Sequence, residues 1–141
     1  MALNVLIVDD SSVMRAMIRR TLSLALPVGE VFEASNGAEG LEMLDKCTVD
    51  LCLVDLNMPV MDGEEMIERL RQDPDFRHLP VLVVSTEGSF TRISLLRQKG
   101  AEFVHKPFTP ETLREAVTEI TGVNYDRHDR PGAVPNCGPD F

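Results

Sequence analysis

The sequence predicts a doubly wound α/β fold, a parallel five-stranded sheet with helices on both faces. Three observations lead there. Short apolar runs recur along the chain: Val5-Leu6-Ile7-Val8, Leu51-Cys52-Leu53-Val54, Val81-Leu82-Val83-Val84 and, with a histidine at its end, Phe103-Val104-His105. Such runs read as buried parallel strands. Stretches with helical spacing separate them, and five alternating β and α units within about 120 residues make a compact doubly wound domain. Third, each run ends on a polar group fit for phosphate chemistry: Asp9-Asp10, Asp55, Ser85 and Lys106. Ligands of open parallel sheets gather at the carboxyl ends of the strands. Three carboxylates, a hydroxyl and an ammonium would therefore converge at one sheet edge. That combination points to a divalent metal and a phosphoryl group.

The elements follow in order. Ser11 and Ser12 can cap a helix whose Val13, Met14, Met17, Ile18 and Leu22 are spaced for one buried face. Pro27 and Gly29 end it. Residues 31–34 read as the second strand, and Ser35 as the cap of a helix through Lys46. The third strand covers residues 50–54. A loop with Asn57, Met58, Pro59 and Met61 then leads to Asp62, which with Glu65 resembles a capping box. Met66, Ile67 and Leu70 point inward from the helix so opened. Pro74 and Pro80 bracket the next loop, before the strand that runs to Val84. Residues 89–99 read as a helix stopped by Gly100, and residues 102–105 as the last strand. Thr109 caps the final helix with Pro110 at its first position, and Leu113, Ala116, Val117 and Ile120 repeat at its inner spacing.

Residues 1–121 thus form the expected domain. From Gly122, Pro131, Gly132, Pro135, Gly138 and Pro139 leave no helical or strand period, so residues 122–141 are expected to be a flexible tail. A length of 141 residues supports one core. Net charge is −9, from 14 basic and 23 acidic residues, which argues against bulk nucleic-acid binding. No apolar run spans a bilayer and no basic-then-apolar leader opens the chain, so a cytoplasmic location is expected. The three cysteines, Cys47, Cys52 and Cys137, lack metal-ligand spacing and fit a reducing compartment.

The stretches VLIVDDSSVMR, LCLVDLNMPVMDG and VHKPF, with Ser85 between the last two, resemble the receiver domain of bacterial two-component response regulators. The resemblance covers residues 3–120 and is strongest toward the single-domain, chemotaxis-type (CheY-like) members. It implies a flavodoxin-like (βα)5 sheet in the order 2-1-3-4-5. It also implies that Asp55 is the phosphoacceptor and that Mg2+ is held by Asp10, Asp55 and the backbone carbonyl of Asn57, with Asp9 acting through water. Lys106 would contact the phosphoryl group, and its bond to Pro107 is typically cis in the family. Ser85 and Phe103 match the switch hydroxyl and the switch aromatic, whose inward rotation follows phosphorylation. The chemotaxis members commonly carry Thr and Tyr there. Asn57, Thr86 and Glu87 match positions that set the phosphate lifetime. The implied partners are a sensor histidine kinase and a protein target on the face of the fourth helix, fifth strand and fifth helix, without direct DNA binding.

Physical chemistry agrees with these roles. Carboxylates a few ångströms apart raise one another's pKa unless a cation joins them. A carboxylate can attack phosphorus to give an acyl phosphate, with cations stabilising the spreading charge. His105 alternates away from Lys106 along its strand and reads as a sheet-surface residue rather than a ligand. Other readings remain on the same residues: a phosphorelay intermediate, or a receiver module separated from its output domain. A flavin-binding electron carrier would want a hydroxyl-rich phosphate loop after the first strand, where Asp9-Asp10 would repel it. An aspartyl phosphatase would want a second acid two residues past Asp55, where Asn57 stands.

Overall fold

The computed structural model describes residues 2–86 and 88–122. Its elements are β1 (Leu3–Val8), α1 (Ser12–Ala25), β2 (Val28–Ala34), α2 (Gly37–Lys46), β3 (Leu51–Val54), α3 (Gly63–Gln72), β4 (Val81–Ser85), α4 (Phe90–Gln98), β5 (Ala101–His105) and α5 (Pro110–Thr121). The five strands form one sheet in the order β2-β1-β3-β4-β5, and every pairing is parallel. This is the expected fold. The expected tail beyond Gly122 lies outside the described residues.

Alternation along the strands divides the core into two layers. Val5, Ile7, Leu51, Leu53, Leu82, Val84 and Val104 pack with Ile18 and Leu22 of α1 and Leu113 and Val117 of α5. Leu6, Val8, Cys52, Val54, Val81, Val83 and Phe103 pack on the opposite face with Leu44, Met66, Ile67, Leu70, Ile93 and Leu96 from α2, α3 and α4. Both sheet faces are covered, so the three central strands carry no polar alternation and are apolar apart from Asn4 near the start of β1 and Ser85 at the end of β4.

Several local expectations are corrected. Val13 and Met17 are not on the buried face of α1; they are 70% and 51% exposed, and burial falls on Ile18, Leu22 and Ala25. Two apolar stripes share this helix, and spacing alone cannot say which one meets the sheet. Gly29 does not follow the helix as a stop but lies inside β2, which begins at Val28 through pairing with Leu3. The cap of α2 is Asn36, whose side chain accepts from the Glu39 N–H at 2.9 Å. Ser35 instead donates its N–H and hydroxyl to the Glu39 carboxylate. Asp62 caps α3 as expected, but the Glu65 carboxylate pairs with Arg69 at 3.0 Å. Ser11, Ser89 and Thr109 cap their helices, the last in a reciprocal box with Thr112.

Candidate functional site

The loops after β1, β3 and β5 bring the acidic residues and the lysine together. Beyond its last strand residue, each chain segment stays in the ladder for one more bond. The Asp9 N–H donates to the Ala34 carbonyl at 3.1 Å, the Asp55 N–H to Val8 at 3.0 Å and the Lys106 N–H to Ser85 at 2.9 Å. The three side chains are thereby anchored by the sheet rather than by flexible loops. The Lys106–Pro107 bond is cis. At the far end of the β3–α3 loop, the Gly63 N–H donates to the Leu56 carbonyl at 3.1 Å. A Cβ at Gly63 would lie 2.3 Å from the Asp55 carbonyl oxygen, so only glycine lets α3 start this close to the acidic edge. Val60, in the same loop, holds a φ of 67°, a strained conformation for a β-branched residue.

One carboxylate oxygen from each of Asp9, Asp10 and Asp55 lies within 4.8 Å of the others. Lys106 Nζ stands 3.4 Å from Asp9 Oδ2 and 3.7 Å from Asp55 Oδ2. Asp9 is only 2% exposed, and its other oxygen accepts from the Ser11 N–H at 2.9 Å. Asp10 faces solvent. Asp55 Oδ1 accepts from the Leu56 N–H at 2.8 Å. Burial holds the Asp55 carboxyl above the usual carboxylate range, against the pull of Lys106, and Asp9 pushes it the same way as burial. The backbone N–H groups of Leu56 and Asn57 draw it partly back. A cation added among these oxygens would relieve the repulsion. Magnesium, which favours a few carboxylates and retained waters over a closed cage, suits this donor set.

Ser85 is buried at the end of β4, opposite His105 in the ladder, while Phe103 sits opposite Val83. Ser85 and Phe103 thus belong to the layer that meets α4. Phe103 is 8% exposed, so its ring already lies inward. Its edge-to-face contact with the exposed His105, at 4.8 Å between centroids, closes over it. His105 lies at the sheet surface as expected. Met58 and Met61 pack on the α2–α3 core layer. Thr86 is exposed beside the site, and Glu87 lies outside the described residues.

One residue at the site, Arg15, has only a faint sequence signal. Arg15 Nη1 donates to the Asp9 carbonyl at 2.5 Å, and its Nε to Glu33 at 2.9 Å. Glu33 is shared with Arg19 at 2.8 Å. The pairing of β1 with β2 decides this contact, and only the acidic-then-basic order of Asp9 and Arg15 hints at it.

The chain is thus an α/β protein whose five-stranded doubly wound sheet carries an acidic cluster and a lysine at one edge. Comparison with known proteins makes it specific. The response regulator receiver domain matches residues 5–118, and the chain belongs to that family. Its relatives include CheY-type chemotaxis proteins. The chemotaxis protein CheY1 of Helicobacter pylori is 36% identical over 124 residues, 86% of this chain and 99% of that protein. CheY-3 of Vibrio cholerae is 36% identical over 119 residues, 84% of this chain and 91% of that protein. The structure of the chemotaxis response regulator CheY4 of Vibrio cholerae superposes with a TM-score of 0.75 at 35% identity, covering 85% of this chain and 99% of that one. The chain is a response regulator receiver similar to those of chemotaxis-type signalling. No helix among the described residues is long and apolar enough to cross a membrane.

Proposed function

We propose that this receiver is a Mg2+-dependent phosphorylation switch: Asp55 accepts a phosphoryl group from a sensor histidine kinase, and the modified protein changes its binding to a partner in chemotaxis-type signalling. The observation that carries this reading is Lys106 Nζ at 3.7 Å from Asp55 within a cluster of three carboxylates. An Asp55 oxygen forms the new bond to phosphorus as the bond from phosphorus to the donor breaks, leaving an acyl phosphate. Lys106, bound to the sheet through its own N–H, stays beside the arriving oxygens and shields their charge. Asp10, Asp55 and the Asn57 carbonyl are the groups that would hold Mg2+, with Asp9 acting through water. When bound, the metal neutralises charge on the phosphoryl oxygens. Asp9 also carries the ion pair that positions Lys106. Thr86, and Glu87 beyond it, are assigned to control of hydrolytic water and hence of phosphate lifetime. The protein acts through other proteins in the cytoplasm, and its net charge of −9 opposes direct DNA binding.

Acetyl phosphate with Mg2+ is the direct test. One base-labile phosphoryl per chain is expected, and chelation of Mg2+ should prevent it. Asp10→Ala should weaken Mg2+ binding, read by calorimetric titration, and stop uptake while the fold survives. An unchanged Mg2+ titration in that variant would remove Asp10 from the metal site.

The signal leaves through Ser85 and Phe103 toward the face of α4, β5 and α5. A phosphoryl oxygen that accepts from the Ser85 hydroxyl adds a charge-assisted hydrogen bond of about 1.5–3 kcal/mol, enough to bias a two-state equilibrium by ~10-fold or more. Phe103 already lies inward, so its part is to keep α4 and β5 packed around the new arrangement rather than to swing in. Ser85→Ala should still be phosphorylated yet lose most of the beryllofluoride-induced change in the amide spectrum of α4 and β5. An undiminished change would sink the relay.

A further inference from the structure

The structure assigns Arg15 the part of a positioning residue for the metal end of the site: it fixes the backbone from which Asp10 projects. This rests on the Mg2+-dependent switch reading above. Asp10 faces solvent, so packing does little to orient its side chain, yet one of its oxygens lies within 4.8 Å of those of Asp9 and Asp55. Its direction is therefore set by the backbone on either side, and both flanking peptide units are anchored. The unit joining Asp9 to Asp10 is held by its oxygen, the Asp9 carbonyl, which accepts from Arg15 Nη1 at 2.5 Å. The unit joining Asp10 to Ser11 is held by its N–H, which donates to Asp9 Oδ1 at 2.9 Å. Each unit is planar, so two anchored planes leave the Asp10 Cα little freedom in φ and ψ.

Arg15 is itself held in place. It stands one turn into α1, where its N–H donates to the Ser11 carbonyl at 3.0 Å, and its Nε binds Glu33 of β2 at 2.9 Å. The Asp9 N–H reaches the same edge strand through the Ala34 carbonyl at 3.1 Å. One guanidinium thus closes a ring through β1, α1 and β2. The fork lets one nitrogen keep Glu33 while another keeps the carbonyl, which a lysine cannot do in the same way. Arg19 supplies the contrast within the same cluster. Its side chain binds the other Glu33 oxygen at 2.8 Å but does not reach Asp9. Charge and position also pull in opposite directions at Arg15. A cation beside a cation site lowers metal affinity by Coulomb repulsion, so acting through charge alone Arg15 would oppose Mg2+. Groups that orient a metal's ligands from behind are typically worth about 10–100-fold in affinity. The sign of the change on removing Arg15 separates the two.

The test titrates Mg2+ into the full chain by calorimetry and follows hydrogen exchange of the Ser11 amide by NMR in chelator. Arg15→Met should bind Mg2+ about tenfold more weakly, and Arg15→Lys should bind more weakly by a smaller factor. In both, the Ser11 amide should exchange faster while the β1 amides of residues 5–8 keep their protection. Arg19→Met, which removes the same charge from the same carboxylate, should leave Mg2+ affinity and Ser11 exchange as in the parent. Tighter or unchanged Mg2+ binding in Arg15→Met would overturn the proposal, and so would an equal loss in Arg19→Met. Should Arg15→Met lose its fold, Arg15→Lys decides by the same titration, and parental affinity there overturns the proposal. A parent that binds no Mg2+ would instead sink the switch reading on which the proposal rests. A parent that binds Mg2+ beside Arg15 variants that bind it equally well leaves the switch reading standing and removes Arg15 from the site.

Discussion

An Asp55→Asn protein is expected to take up no phosphoryl group from acetyl phosphate, under conditions where the parent takes up one per chain. The amide keeps the shape of the carboxylate and can still accept the Leu56 N–H bond, which is 2.8 Å in the parent. What it loses is the anionic oxygen that forms the bond to phosphorus, and an amide oxygen is too poor a nucleophile to replace it. It also removes one of the three carboxylates within 4.8 Å, so Mg2+ affinity should fall as well. Uptake at the parental rate would mean that the phosphoryl group goes elsewhere, with Asp10 the next acid in the cluster.

The same substitution has a pH signature in stability. Burial, with Asp9 in support, raises the Asp55 carboxyl in the folded protein above its value in the unfolded chain. Between those two values the folded state binds more protons, so metal-free stability falls as pH rises through that window and stays lower above it. Below the ordinary aspartate value of about 3.9 the side chain is neutral in both states and imposes no penalty. Asp55→Asn should therefore melt at a higher temperature than the parent at pH 7 in chelator, with the gap closing toward pH 3. A gap that is constant with pH, or reversed, would place the stabilisation somewhere other than the charge.

The second large effect lies at the other end of the sheet. Arg71→Ala should cost about 2–4 kcal/mol, read from the denaturant midpoint, out of a total of about 5–15 for a domain of this kind. Arg71 Nε donates to the Lys99 carbonyl at 2.6 Å, and Nη1 to Leu79 at 2.9 Å, Arg77 at 3.2 Å and Phe76 at 3.3 Å. Nη2 adds a contact to Gly100 at 3.4 Å. One guanidinium thus ties α3 to the loop before β4 and to the junction of α4 with β5. Its removal leaves the part-buried carbonyls of Phe76 and Leu79 without a partner and unties three exposed ones, at Arg77, Lys99 and Gly100. Arg71→Lys should recover only part, because three donors on one nitrogen cannot cover the spread of the fork. A loss under about 1 kcal/mol for the alanine variant would mean that those carbonyls resolvate freely.

Arg71 and Arg15 illustrate what pattern reading misses. Each works by donating from a side chain to backbone carbonyls, and the carbonyl leaves no mark in the residue type that carries it. The Arg71–Lys99 bond also joins residues 28 apart in the chain. The strands were legible for the opposite reason. A strand covered on both faces is apolar along its buried middle, so the runs Val5–Val8 of β1, Leu51–Val54 of β3 and Val81–Val84 of β4 stand out whatever surrounds them. Edge strand β2, with Gly29 and Glu30 exposed, has no such signature, and only its pairing with β1 defines where it starts.

By itself, then, the sequence determined the alternation of strands and helices, most helix caps, and the identity of Asp9, Asp10, Asp55, Ser85 and Lys106 as strand-end groups. These depend on side-chain chemistry and local spacing, which residue order carries in full. Tertiary structure decided which face of α1 is buried, that Asn36 rather than Ser35 caps α2, and that Lys106 stands closer to Asp9 than to Asp55. It also decided that Phe103 lies inward under His105. Each of these is a choice between local arrangements of similar energy, and it is made by contacts with segments distant in the chain.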